Sequence, residues 1–257
     1  MAIYAIGDVH GQRDKLRAAH ALIEADRAAH AVPEAAPVIH LGDLVDRGPQ
    51  SRGVIEDLMA GQAAGRPWIV LRGNHDAMFA RFLHDPTDRD PKLFRELTWW
   101  HQRLGGAETL RSYGVRGIGL KPISWVHREA LAAVPQAHRD WIEALPLWHE
   151  AETEEGPLLF VHAGIRPGVP LAAQAEEDLI WIRHGFIDDD TPHPWLVVHG
   201  HTALEEAAHF GNRIDLDSGA GHGGPLTAAV LEGRRTFVLT PSGRQPLSPP
   251  PGSPAPA

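Results

Sequence analysis

The stretch VIHLGDLVDRGPQS, from Val38 to Ser51, decides the organisation of the chain because it runs from apolar residues directly into charged ones. Val38–Leu41 is short, apolar and bounded by glycine, which predicts a buried strand. The loop that follows holds Asp43, Asp46 and Arg47. Two carboxylates so close together repel each other unless a positive charge lies among them. The stretch therefore predicts a strand followed by a loop whose carboxylates lie close to a positive charge.

Strands and helices alternate on both sides of this stretch. Ala2–Ile6 and Trp68–Leu71 have the same strand character, and they are closed by Gly7 and Gly73. Asp14–Ala29 and Ser51–Ala64 place apolar residues at helical spacing. A β-α-β-α-β order implies parallel strands joined by right-handed crossovers. Since ligands bind at the carboxyl edge of such strands, the loops after the strands are expected to form one site.

The rest of the chain predicts a helical middle, further strands and a tail. Apolar residues recur at helical spacing near 93–104 and 129–145, and 171–178 is expected to hold a short helix. Strands are expected at Leu158–Val161, Trp195–Val198, Arg213–Leu216, Thr227–Leu231 and Thr236–Leu239. Their short links favour a mostly antiparallel second sheet. The Pro- and Ser-rich segment 241–257 is expected to be disordered.

Composition narrows the class of protein. The 257 residues include 43% apolar and 22% charged residues, which is typical of a soluble globular protein. Neither a transmembrane stretch nor a signal peptide is apparent, so a cytoplasmic protein is expected. The formal net charge of −9 argues against a general nucleic-acid binder. Because the chain has no cysteine, any metal must be held by His, Asp, Glu or Asn.

The predicted strand ends share one kind of loop, in which polar or charged residues lie beside glycine. Glycine permits sharp turns and a close approach of the backbone to a ligand. The loops are GDVHG with Asp8 and His10, GDLVDRG with Asp43, Asp46 and Arg47, GNHD with Asn74, His75 and Asp76, VHAG with His162, and VHGHT with His199 and His201. Five such loops in order indicate a shared functional site rather than separate structural residues.

Carboxylates mixed with imidazoles suit Mn, Fe, Zn or similar divalent ions. The candidate ligands are Asp8, His10, Asp43, Asn74, His162 and His201. This set is too large for one tetrahedral site but fits two metals that share Asp43. Two metals ~3.5–4 Å apart can clamp the attacking and leaving oxygens of a displacement at phosphorus. Arg47 would then bind two phosphate oxygens with its planar guanidinium.

The motifs GDVHG, GDLVDRG, GNHD, HAG and GHT, together with GGAETLRSYGV and DLIWIR, resemble the metallophosphoesterases. Within that superfamily they are most similar to the phosphoprotein phosphatase family in its bacterial and phage form, from about residue 3 to about residue 239. The resemblance implies an α/β calcineurin-like fold, with two mixed sheets packed as a sandwich between helices. Residues 1–240 are accordingly expected to form the catalytic domain.

The resemblance also implies roles for the matching residues. Asp8 and His10 would hold the first metal with the bridging Asp43, and Asn74, His162 and His201 would complete the second. The expected ions are two Mn²⁺, with Fe or Zn as alternatives. His75 would protonate the leaving group, Asp46 would orient His75, and Arg47 and Arg183 would bind the phosphoryl oxygens. The nucleophile would be a metal-bridging hydroxide, without a phosphoenzyme.

Two departures from the family pattern stand out. The usual GNHE is GNHD here, and Asp76 is expected to have only a modest effect because that acid lies outside the metal ligands in the family. Eukaryotic relatives carry a tyrosine where this chain has His222, which makes His222 a candidate residue of the substrate cleft. His199 is expected to pack within its strand.

Three functions are compatible with these motifs. The favoured one is hydrolysis of phosphoserine and phosphothreonine in proteins, with a phosphoprotein as partner, no stable nucleic-acid or membrane binding, and the oligomeric state open. The alternative is a symmetrical diadenosine tetraphosphate hydrolase or another nucleotide or RNA-end phosphatase. Those tetraphosphatases share the metal motifs, and the bacterial ones also carry GNHD, but they usually read GDLVARG, so Asp46 favours the protein phosphatase. A non-catalytic metal-binding protein on the same scaffold is the third.

Overall fold

The computed structural model describes residues 2–94, 96–189, 191 and 193–254. The strands, numbered in chain order, are β1 (Ala2–Ile6), β2 (Val38–His40), β3 (Trp68–Val70), β4 (Trp148–Ala151), β5 (Leu158–Val161), β6 (Leu196–His199), β7 (Ala208–His209), β8 (Arg213–Asp215), β9 (Ala228–Glu232), β10 (Arg235–Thr240) and β11 (Gly243–Leu247). The helices are α1 (Arg13–His30), α2 (Ser51–Ala63), α3 (Asn74–His84), α4 (Gly106–Ser112), α5 (Ile123–Ala133), α6 (Gln136–Glu143) and α7 (Glu176–Trp181). None of the described helices combines the length and apolarity that a membrane crossing needs.

The first sheet has the order β11-β10-β9-β1-β2-β3. Its strands β1, β2 and β3 are parallel, with Tyr4 opposite Val38 and Val38 opposite Trp68. Helices α1 and α2 connect them, so the predicted β-α-β-α-β order is confirmed. The strands β9, β10 and β11 extend the sheet as antiparallel neighbours beyond β1.

The second sheet has the order β4-β5-β6-β8-β7 and differs from the expected antiparallel arrangement. Its three central strands are parallel, and only the edge strands β4 and β7 run antiparallel to their neighbours. The chain crosses from β5 to β6 through α7, and such a crossover brings the next strand back in the same direction. The late strands β9 to β11 return to the first sheet because β1 offers them a free edge.

The two sheets pack face to face, and helices cover their outer faces. Along β1, Ile3 and Ala5 belong to the core between the sheets, whereas Tyr4 and Ile6 belong to the core beneath the helices. This alternation follows from the two-residue period of a strand. Phe160 on β5 faces the first sheet in the same central core. The α/β sandwich of two mixed sheets flanked by helices, which the sequence predicted, is confirmed.

The helical middle differs from the pattern read in the sequence. The described residues between 85 and 104 form no helix, and successive four-residue turns, closed by hydrogen bonds such as Leu97 N–H to Phe94 O and Leu104 N–H to His101 O, replace it. Residues 129–145 fall in two helices, α5 and α6, because Pro135 cannot continue a helix. Helix α3 was not predicted. It begins at Asn74, inside the GNHD loop.

The end of the chain also differs from expectation, since part of the segment expected to be disordered is the edge strand β11. Arg244 anchors this strand to helix α1. Its Nε lies 2.7 Å from Oδ1 of Asp26 and its Nη1 lies 2.8 Å from Oε1 of Glu232. Pro246 is tolerated because β11 is at the sheet edge. A compositional argument could not foresee an ion pair with a residue 218 positions away.

Candidate metal centre

The loops after the parallel strands of both sheets meet at one place. Asp8 follows β1, Asp43 follows β2, and Asn74 begins α3 just after β3. His162 and His201 follow β5 and β6 of the second sheet. Each of these side chains is buried, with at most 6% of the residue exposed. The fold therefore brings together strand-end residues that lie up to 193 positions apart in the chain, as the sequence predicted.

Two groups of potential ligands share Asp43. In the first, the ligand atoms of His10, Asp43 and His75 lie within 4.8 Å of one another. In the second, the same holds for Asp43, His162 and His201. A carboxylate common to both groups is what a pair of bridged metals requires.

Two further predicted ligands lie beside these groups. The Oδ1 of Asn74 is 3.0 Å from Nε2 of His162 and 2.9 Å from Nδ1 of His201. Asp8 belongs to neither group, and its carboxylate accepts the backbone N–H of His201 at 3.1 Å. All six predicted ligands are thus neighbours in space, while the assignment of each to one metal stays a prediction.

Backbone carbonyls orient two of the imidazoles. Nδ1 of His10 donates to the carbonyl of Val45 at 3.0 Å, and Nδ1 of His162 donates to the carbonyl of Leu41 at 2.8 Å. Burial lowers the pKa of both histidines, which favours their neutral forms. Each Nε2 therefore presents a lone pair to the site, as a metal-binding histidine held by a backbone acceptor does.

The donor set fits a cation. Nε2 of His162 faces two other acceptors, Oδ1 of Asn74 at 3.0 Å and Oδ1 of Asp43 at 3.4 Å. Nε2 of His201 is buried without a hydrogen-bond partner among the described atoms. Buried acceptors that face one another are costly unless a positive charge lies between them. Oxygen and imidazole ligands suit Mn, Fe and Zn alike, so the donor set supports metal binding without choosing the metal.

The backbone is strained where these residues lie. The described non-glycine residues with positive φ are Ala31 at the end of α1 and five predicted site residues: His10 (φ 45°), Asp43 (47°), Asp46 (73°), Arg47 (62°) and His201 (66°). Each such conformation costs an L-residue on the order of 1 kcal/mol. Strain concentrated in this way marks a site where side-chain direction matters more than local stability.

Asp46 and His75 form a buried pair beside the first ligand group. Nδ1 of His75 lies 2.7 Å from Oδ2 of Asp46. The Asp46 carboxylate also accepts Nε1–H of Trp99 and Oγ1–H of Thr109, both at 2.7 Å. Since Nδ1 of His75 is used by Asp46, its Nε2 faces the open site, 3.3 Å from Nη2 of Arg47. The arrangement orients the imidazole as a third group orients a catalytic acid or base.

Two arginines reach the same space. Nη1 of Arg47 is 2.6 Å from Nε2 of His10, and Nη2 of Arg183 donates to the carbonyl of His201 at 3.1 Å. Both line a cavity of about 250 Å³ with Asp43, His75 and His201. Planar guanidinium groups on this cavity suit a tetrahedral oxyanion such as a phosphoryl group.

Several residues near the site were not predicted. Asp217 follows β8 and is 3% exposed; burial and the nearby Asp43 raise its pKa. The strand-end argument applied to LDSG could have found it. Trp99 and Thr109 gave no such signal, because each lies more than 50 positions from Asp46 in the chain. Their roles depend on tertiary structure alone.

Asp76 ties two site loops together, and the modest effect expected of Asp in place of the family's Glu stays a prediction. Its Oδ1 accepts the N–H of Leu44 and its Oδ2 accepts the N–H of Gly73, both at 2.9 Å. His222 lines a larger cavity next to the site, as its place in the sequence suggested. His199 is fully buried in β6, in agreement with a packing role.

Comparison with known proteins agrees with this geometry. The asymmetrical bis(5′-nucleosyl)-tetraphosphatase PrpE of Halalkalibacterium halodurans is 27% identical over 94% of both chains. Serine/threonine-protein phosphatase 1 of Salmonella typhimurium is 25% identical over 90% of this chain and 92% of its own. A crystal structure of a putative diadenosine tetraphosphatase superposes with a TM-score of 0.57 at 20% identity, covering 96% of this chain and 94% of that one.

The family assignment rests on a match over most of the chain. The calcineurin-like phosphoesterase family matches residues 1–228, a range that contains every predicted ligand. The superposed crystal structure shares the fold. With its strand-end histidines and carboxylates gathered around Asp43, the chain belongs to the calcineurin-like phosphoesterases and is a metal-binding phosphoester hydrolase.

Proposed function

We propose that the protein is a two-metal phosphomonoesterase that hydrolyses phosphoserine and phosphothreonine in proteins. The observation that carries the proposal is the buried Asp46–His75 pair, 2.7 Å apart, which faces the site through Nε2 of His75. An alkoxide is a strongly basic leaving group and needs a proton from a positioned acid. A nucleotide released from a phosphoanhydride is a weak base and needs far less help.

The chain's own residues provide binding and proton transfer. Arg47 and Arg183 hold the phosphoryl oxygens between their guanidinium groups. His75 holds a proton at Nε2 for the leaving oxygen, and Asp46 keeps Nδ1 of that ring protonated. Divalent ions held by Asp8, His10, Asp43, Asn74, His162 and His201 would supply Lewis-acid polarisation and an activated water. We propose Mn²⁺ for both positions, with Fe or Zn as alternatives.

A second candidate function is hydrolysis of dinucleoside polyphosphates. It is favoured by a cavity of about 970 Å³ beside the site, which has Arg47, Arg103 and Arg111 on its walls together with Trp100. Several phosphates and a base could contact such a surface. Tetraphosphatases are also among the relatives at low identity.

A direct comparison of substrates tests the choice. The Mn²⁺-loaded protein is assayed with a phosphoserine peptide and with diadenosine tetraphosphate, and kcat/KM is measured for both. We expect the peptide to be the better substrate, and we expect His75→Asn to abolish that preference because only the peptide needs the acid. Preference of the unchanged protein for the dinucleotide would overturn the proposal in favour of the second candidate.

A further inference from the structure

Arg103 lies where two cavities adjoin. The smaller cavity, about 250 Å³, contains Asp43, His75 and Arg183, and Arg103 is on its wall. The larger cavity, about 970 Å³, extends from the same rim toward His222, and Arg103 lines it as well. A substrate whose phosphate lies in the smaller cavity and whose neighbouring groups extend into the larger one therefore passes close to Arg103.

The charge of Arg103 is not neutralised within the part of the chain that the structure describes. Arg111, on the same larger cavity, forms an ion pair with Glu108. Lys92, on the smaller cavity, forms one with Glu177. The guanidinium of exposed Arg103 has no ion pair or hydrogen bond to any described residue. The Arg103 guanidinium is therefore a local positive charge at the mouth of the site, in a chain whose formal net charge is −9.

The segment that carries Arg103 is anchored on both sides. Nε1 of Trp181 donates to Oδ2 of Asp90 at 3.2 Å, which holds the start of the segment against α7. At its end, the N–H of Arg47 donates to the carbonyl of Gly105 at 3.3 Å. Arg103 thus lies two residues before Gly105, which is hydrogen-bonded to Arg47, the residue proposed to bind the phosphate.

From this position we infer that Arg103 binds an acidic side chain that flanks the phosphorylated residue, so that the protein prefers phosphopeptides with a nearby Asp or Glu. The inference rests on the proposed function, because it takes the substrate to be a phosphopeptide. Arg103 is then a specificity-determining residue, since the carboxylate it holds lies outside the reacting atoms. A carboxylate is the natural partner of a guanidinium fork.

The test uses pairs of phosphoserine peptides that differ by Asp or Asn at one flanking position, scanned along both sides. With the Mn²⁺-loaded protein, we expect kcat/KM to be about five- to tenfold higher for the Asp peptide at one or more positions. Arg103→Ala should bring that ratio to about one, and Arg103→Lys should keep part of it. Added salt should reduce the ratio of the unchanged protein. Arg128→Ala, which removes an exposed arginine of α5, is the matched control and should keep the ratio.

The outcomes separate this inference from the proposed function. A variant that is poorly folded loses activity on both peptides equally, so the ratio reports specificity alone. If phosphopeptides are hydrolysed but no position favours Asp, or if Arg103→Ala keeps the preference, the inference is overturned and the proposed function stands. If only diadenosine tetraphosphate is hydrolysed, the proposed function falls and this inference falls with it.

Discussion

Asp46 and His75 are joined by a hydrogen bond of 2.7 Å that is sealed from solvent, since Asp46 is fully buried and His75 is 3% exposed. Trp99 and Thr109 donate to the same carboxylate. Together with His75, these donors hold the Asp46 carboxylate in one orientation. That orientation fixes the plane of the His75 imidazole. Trp99, from the irregular segment 85–104, and Thr109, from α4, therefore help to set the direction of Nε2 of His75.

Replacing His75 by Asn should separate the two kinds of leaving group. We expect turnover of a phosphoserine peptide to fall ~10²–10⁴-fold, because the alkoxide loses its acid. Turnover of p-nitrophenyl phosphate should fall much less, because nitrophenolate leaves without a proton. Calorimetric titration with Mn²⁺ is the control, since His75 also lies within 4.8 Å of His10 and Asp43. Loss of metal binding, with equal loss on both substrates, would make His75 a ligand instead of the acid.

Gly221 offers a test of how tightly the side chains of His10 and Arg47 are packed. An added Cβ at this residue would lie 2.6 Å from Cδ2 of His10 and 2.8 Å from Cδ of Arg47. Gly221→Ala should therefore displace both the His10 imidazole and the Arg47 side chain, and lower kcat/KM for any phosphate ester about tenfold or more. Gly53→Ala is the control, because the atoms nearest to its methyl group belong to the flexible side chain of Arg13, away from the predicted metal ligands. Equal kcat/KM in the two variants would show that the site tolerates displacement of both His10 and Arg47.

The residues at strand ends were predictable because their position follows from local rules. Glycine near the end of an apolar run marks where Asp8, Asp43 and Asn74 leave the sheet, and parallel strands bring such ends to one edge. Trp99 could not be predicted in the same way. Its indole reaches Asp46 only after the segment 85–104 folds as turns, whereas its apolar spacing suggested a helix.

The sheet partners of the late strands were equally beyond sequence reasoning. Periodicity identifies β9 and β10 as strands, and short links predict that they pair with each other. Periodicity does not show that β9 pairs with β1, which lies more than 220 residues earlier in the chain, with Ala5 opposite Ala229. The ion pair between Arg244 and Asp26 is a further contact of this kind. Long-range pairing depends on which edge is free, and that is a property of the assembled sheet.

Metal removal should lower stability as well as activity. Without a cation, Asp8 and Asp43 repel each other and Nε2 of His201 is left without a partner among the described atoms. We expect the melting temperature to fall after chelation and to rise when Mn²⁺, Fe²⁺ or Zn²⁺ is added, with about 2.7 kcal/mol gained at 100 times the Kd. Asp43→Asn should remove most of this shift, because it weakens both ligand groups. A melting temperature that does not change when any of the three ions is added would argue against the metal centre.

The clamp between Arg244 and Asp26 predicts a stability difference that depends on pH. Burial raises the pKa of Asp26, but the hydrogen bonds from Arg244 and Tyr4 outweigh it and leave the pKa below its ordinary value. A carboxyl with a lowered folded pKa stabilises the protein above its unfolded pKa of about 3.9, and this contribution is lost as the pH falls through the folded pKa. Arg244→Ala should therefore lower the free energy of unfolding by about 2 kcal/mol at pH 7, and by clearly less at pH 3.

Urea unfolding at both pH values measures this difference, and Arg235→Ala is the matched control. Arg235 is an exposed arginine whose Nη2 lies 3.6 Å from Oε2 of Glu232, so its loss should cost less than about 1 kcal/mol. Arg244 also lies over the ring of Phe237, with its Cζ 5.5 Å from the centroid. That packing contact does not depend on Asp26. A difference that stays constant from pH 7 to pH 3 would assign the anchoring of β11 to this packing, and the charged clamp would then contribute little.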